Sequence, residues 1–193
     1  MLRKKYEFKP DRTDSGTLNK LYITKKQRLS LLKWLLVGAS LLALSLVQDV
    51  IMSRIQIFGA TTDLVAGGIL LCCMLLSVDS GAVFTLCAST ASYFAGFAPG
   101  VYTIALLTAL GIFVNILRHS YLRKSVFSIV LCAGVALMLY ELAVFVIALF
   151  LEYTTFARIG VILLGGLVTA AVMPAMYPVF LSVSKIGGES WKE

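Results

Sequence analysis

Three long stretches of this chain carry no charged residue: 64–78, 80–117 and 159–184. Two more, 29–48 and 125–151, are interrupted only by Lys33 and by Glu141. Apolar runs of this length read as membrane helices, because about 20 residues at 1.5 Å rise cross the hydrocarbon core. The 80–117 stretch is too long for one helix, and Gly96-Phe97-Ala98-Pro99-Gly100 divides it, since Gly and Pro interrupt helices. Asp79-Ser80-Gly81 is expected to turn between the second and third spans. The pattern therefore predicts six spans, near 29–48, 62–78, 81–97, 101–117, 125–151 and 158–183. The expected fold is an all-α membrane protein, a six-transmembrane-helix bundle over 29–184, between a basic tail (1–28) and a short C-terminal tail (185–193).

Charge orients the bundle. Of 17 Lys and Arg residues, ten precede or include Lys33, three lie in 118–124, and two more are Lys185 and Lys192. Six spans put these on one side and leave only Arg54 and Arg158 on the other, as the positive-inside rule requires of a protein with both termini cytoplasmic. Trp34 and Lys33 suit the inner end of the first span, where indole rings and snorkelling ammonium groups settle. The net charge of +7 is then mostly a topology signal, and the basic tail is expected to attract anionic lipid. Nucleic-acid binding is excluded, since no aromatic platform accompanies the charge. The composition agrees: 59% hydrophobic and 14% charged is too little charge to cover a soluble domain of 193 residues.

Few residues offer chemistry. The four cysteines lie in apolar runs without a Cys-x-x-Cys spacing and His119 is the sole histidine, which leaves no zinc or iron–sulfur site. No phosphate loop, His-Glu-x-x-His pattern or nucleophile elbow is present. Asp49, Asp63, Asp79 and Glu152 fall near expected span ends, so no pair of carboxyls is expected to meet inside the bilayer. The expectation is a protein without catalytic activity.

The informative positions are the polar ones at membrane depth, since burying them there is costly. Glu141, after Tyr140 in the fifth span, is expected to act as a hydrogen-bonding group, with a hydroxyl of the third span as its partner, or to couple to a partner or a proton. The third span is rich in small and hydroxyl residues (Thr85 to Tyr93) and is expected to be central, because such residues let helices approach. Ala39-x-x-x-Ala43 and Gly166-x-x-x-Ala170 are further small-residue pairs. Pro174 and Pro178 are expected to kink or loosen the inner end of the sixth span.

On the outer side, Arg54-Ile55-Gln56-Ile57-Phe58-Gly59 is too apolar for a solvated loop. It is expected to lie along the interface, closed by Gly59. Thr61, Thr62 or Asp63 would cap the second helix. Arg54 and Phe58 are the candidate contacts for a partner on that face.

Three motifs, "FGATTDL" (Phe58–Leu64), "LYEL" (Leu139–Leu142) and "MPAMYP" (Met173–Pro178), resemble the bacterial rod-shape-determining MreD family, over about residues 30–185. The resemblance implies a non-catalytic scaffold of the cell-elongation machinery in the bacterial cytoplasmic membrane. Its implied partners are an MreC-like single-span protein, RodA, the elongation transpeptidase and MreB. It implies no cofactor, and a fold similar to the six-helix substrate-binding subunits of energy-coupling-factor transporters. That likeness supplies the alternative function, binding a vitamin or metal for uptake. Few outer-side polar groups and no outer-side tryptophan speak against it.

Overall fold

The computed structural model describes residues 25–54, 59–60, 62–121 and 125–185. Within them the chain is all-helical: α1 (Lys25–Val50), a 3-10 turn (Met52–Arg54), α2 (Leu64–Leu75), α3 (Val78–Phe94), α4 (Tyr102–Tyr121), α5 (Val126–Phe150), a second 3-10 turn (Phe156–Arg158) and α6 (Ile159–Ser184). Four of these are long and apolar enough to cross a membrane: α1 from Arg28, α4, α5, and α6 with its preceding turn. The tails, Phe58 and the loop 122–124 lie outside the described residues.

Two helices depart from the expected spans. α2 has twelve residues, about 18 Å at 1.5 Å per residue, and cannot cross a core of about 30 Å. It ends at Leu75, and α3 begins at Val78, so Asp79, Ser80 and Gly81 lie in the first turn of α3 rather than between helices. Ser77 takes the extended N-cap conformation and its carbonyl accepts the Gly81 N–H at 2.7 Å. Gly81 is there for closeness: a Cβ would collide with the side-chain amide of Asn115 on α4.

The centre of the bundle is α2, not α3. Every residue of α2 is buried, and it packs against α1, α3, α4, α5 and α6. A helix apolar on all sides belongs inside, and two glycines let its neighbours close in. A Cβ at Gly67 would press on Met173 and Thr169 of α6, and one at Gly68 would overlap Leu44 of α1. Only Gly81, Phe84, Thr85, Ala88 and Ser89 of α3 are buried. Of its hydroxyls, Thr85 and Ser89 are buried and Ser89 pairs with Thr108 of α4 at 3.0 Å, whereas others bond carbonyls of their own helix. Thr90 donates to Leu86 O at 2.7 Å, and Ser92 to Ser89 O at 2.8 Å. Such local bonding satisfies a hydroxyl in lipid as well as in protein.

α1 is peripheral. Val37 is its only buried residue among those described, while Leu35, Leu42 and Leu46 are among its exposed ones. Ala39 and Ala43 face outward, whereas Gly166 is buried against Met138 and Glu141 of α5. α6 runs unbroken through Pro174 and Pro178, both exposed.

Candidate functional site

The short α2 sets the depth of the candidate site. Asp63, its N-cap, accepts from the Ala66 N–H at 3.0 Å through Oδ1, which satisfies a first-turn amide. Its own N–H donates to Thr169 Oγ1 at 3.0 Å. Thr169 lies ten residues into α6 from Ile159, about 15 Å from the N-terminal end of that helix. The sequence placed Asp63 at the outer edge of a full-length span. The structure sets it level with Gln48, near the end of α1, and with Thr169, ten residues into α6.

Three helices converge there. The side-chain oxygen of Gln48, near the end of α1, accepts from Val65 N–H at 2.8 Å, and its amide bonds the Asp63 carboxyl. Thr169 passes its own hydroxyl proton to Gly165 O at 2.8 Å. Tyr140 and Glu141 of α5 complete the group: both lie near Asp63, and Tyr140 also near Tyr102 at the start of α4. Tyr140 is buried, and Glu141 is half-buried with its Cγ facing Gly166. Thr62 is buried, and its hydroxyl has no hydrogen-bond partner among the described residues.

Glu141 therefore does not meet the third span as expected. The helices packed on α5 are α2, α4 and α6, and its neighbours are Gly166 and Asp63. Asp63 at the start of α2 and Glu141 of α5 lie on the same side of the bundle, close enough for the charge of one to influence the other. No basic side chain among the described residues contributes to the electrostatics of either.

The remaining candidates lie elsewhere. Arg54 is exposed at the end of the first 3-10 turn. Gly59 has φ of +80°, a left-handed conformation that favours glycine as the chain heads for α2. Pro174 and Pro178 face outward, but Met173 just before them and Met176 and Tyr177 between them are buried, with the two methionines against Gly67 and Gly68.

Sequence reasoning missed Gln48 and Thr169. Thr169 had a readable signal, being the only hydroxyl side chain between Ile159 and Met176. A second polar group at the inner end was missed too. Asn115 is fully buried, donates to Ser77 O at 3.4 Å, and its backbone carbonyl takes His119 Nδ1 at 3.0 Å. Arg118, expected in a basic loop, is buried in the last turn of α4, near Tyr177 and Cys73.

No protein-family model, curated protein or solved structure matches this chain.

Proposed function

We propose that the chain is a non-catalytic membrane scaffold, an MreD-like component of the machinery that elongates rod-shaped bacteria. It would sit in the cytoplasmic membrane with both termini inside. One observation carries the reading. The three motifs of the resemblance, far apart in sequence, converge on α2. Asp63 of "FGATTDL" caps it, Tyr140 and Glu141 of "LYEL" face that cap, and Met173 and Met176 of "MPAMYP" pack on its glycines. The motifs thus form one architectural unit, holding a short central helix that fixes the helices around it.

The partner's place is the outer end of α1. Leu46, Val50 and Ile51 are exposed there, beside the exposed Arg54. An apolar patch with a charge at its rim is how interfaces combine affinity with register. Arg54→Glu together with Phe58→Ala is expected to release an MreC-like single-span partner in co-purification, without lowering the amount of folded protein. Cells carrying the pair should round up while vitamin uptake is unchanged. If partner and shape persist and uptake of a labelled vitamin is lost, the transporter-subunit reading replaces the scaffold.

A further inference from the structure

Two helices of the bundle end in the same turn, built from different residues. At the end of α3 the Gly96 N–H donates to Tyr93 O at 3.0 Å and the Phe97 N–H to Ser92 O at 3.1 Å. At the end of α5 the Glu152 N–H donates to Leu149 O at 3.1 Å and the Tyr153 N–H to Ala148 O at 2.9 Å. Both are Schellman caps, which place a left-handed residue just after the helix and favour glycine there. Gly96 has φ of +82° and Glu152 has φ of +59°; among the described residues Glu152 is the one left-handed position that carries a side chain. Its Cβ is crowded there, where glycine would close the turn freely. A side chain held in such a conformation points to a task of its own.

That task lies outside the chain. Glu152 is exposed, and six residues further on Arg158 is exposed too. No hydrogen bond or ion pair to a described residue engages either side chain. Both nevertheless sit on fixed backbone. The cap holds Glu152. Arg158 closes a 3-10 turn through its N–H to Thr155 O at 3.0 Å, and the Phe156 ring of that turn lies against Phe145 of α5, centroids 6.2 Å apart. Phe150, Tyr153 and Phe156 stand exposed around them. Aromatic rings alone would suit a lipid interface. A zwitterionic headgroup, however, meets any exposed charge and calls for no crowded backbone to present one.

An acid and a base on one short connection complement a second connection of the same kind. Copies of one chain insert in the same sense, so two of them can be related by a two-fold axis along the membrane normal. A two-fold contact is self-complementary. We propose that the α5–α6 connection joins two copies of this chain, with Glu152 of each reaching Arg158 of the other and the exposed aromatic rings packed between them. Aromatic residues anchor interfaces, while charges set register and reject wrong partners. The pairing stands independently of the scaffold reading.

Full-length protein labelled at its C-terminus with a donor or an acceptor dye is mixed in phosphatidylcholine vesicles, and energy transfer is followed as lipid dilutes the protein. The parent is expected to show transfer above random mixing that falls on dilution. Glu152→Arg or Arg158→Glu alone sets like charges against each other and should raise the protein density at half-maximal transfer at least about tenfold. The two reversals together rebuild the pair with its charges exchanged, and should return the half-point to within about threefold of the parent. Glu152→Gly keeps the turn and removes the carboxyl. It should resist unfolding at least as well as the parent and still pair more weakly, which separates lost pairing from lost folding. Transfer no greater than random mixing in the parent would mean that the connection faces lipid or a different protein, and overturns the proposal. So would single reversals that leave the half-point unmoved, or a double reversal that pairs no better than the singles.

Discussion

α1 and α2 are both apolar helices, yet one has a single buried residue among those described and the other is buried throughout. Hydrophobicity does not separate them, because lipid is as apolar as a protein core and offers no drive to bury leucine. Close approach separates them. Gly67 and Gly68 bring α6 and α1 onto α2, and Gly81 and Gly111 draw α3 and α4 together over it. Gly38 of α1, by contrast, has open space where a Cβ would go. In this bundle a helix is central because its backbone can be approached, and peripheral when only its leucines are offered.

The largest effect that could break this comparison is a matched pair of truncations. Leu70 of α2 is fully buried and Leu35 of α1 is among the most exposed leucines. In a membrane the transfer contribution to Leu→Ala largely cancels, leaving the cavity. Leu70→Ala should therefore cost roughly 2 kcal/mol, the lower part of the range for buried leucines. Lipid refills the space at Leu35→Ala, which should stay within about 0.5 kcal/mol. Reversible unfolding in mixed micelles measures both. Similar losses at the two sites would mean that α1 is packed against something as tightly as α2 is.

Much of the architecture was legible because charge-free runs and breaks are written plainly in the sequence. All six helices lie where apolar stretches were read, and the division at Gly96–Gly100 falls in the α3–α4 connection. The length of α2 was not legible. Val78 continues the apolar run that ends α2, so periodicity could not show that Ser77 starts a new helix. Centrality was misread because the small and hydroxyl residues of α3 serve mainly one neighbour, with Ser89 bonded to Thr108 of α4, while Thr90 and Ser92 bond their own helix. The candidate site was half visible. Asp63 and Glu141 stood out as acids, but their proximity depends on where α2 starts against α5, which the apolar run did not show. Gln48 looked like an ordinary polar end to α1, and nothing in its neighbours announced a bond to Val65.

The next test concerns what ties the peripheral helix to the central one. Asp63 caps α2 and is joined to Gln48 of α1 and Thr169 of α6. Asp63→Ala removes the cap and is expected to cost about 1 kcal/mol, within the 0.5–2 kcal/mol typical of such losses. Asp63→Asn keeps an acceptor and should retain most of the stability. Gln48→Leu should loosen α1 alone, raising the reactivity of a cysteine placed at Val37 while the unfolding of the rest is little changed. If Asp63→Asn costs as much as Asp63→Ala, the carboxylate matters for its charge and the capping account is insufficient.

The smallest expected effect is at Glu141, and it sharpens the comparison from the side of α5. Glu141 faces Gly166 and the Asp63 cap, and among the described residues no hydrogen bond engages its carboxyl. If its role is architectural, an amide serves as well as an acid, since both carry a donor and an acceptor and the amide also removes repulsion with Asp63. Glu141→Gln is then expected to leave stability and partner retention unchanged. Glu141→Leu removes a half-buried carboxyl that has no hydrogen bond to lose among the described residues, so it too should stay within about 0.5 kcal/mol. Unfolding in micelles gives the energies, and co-purification gives the partner. If Gln loses the partner as completely as Leu while both stay folded, the ionisable group itself is needed. The pair of carboxyls around the central helix would then be part of what the protein does, and the account of α2 as a purely architectural core would have to be given up.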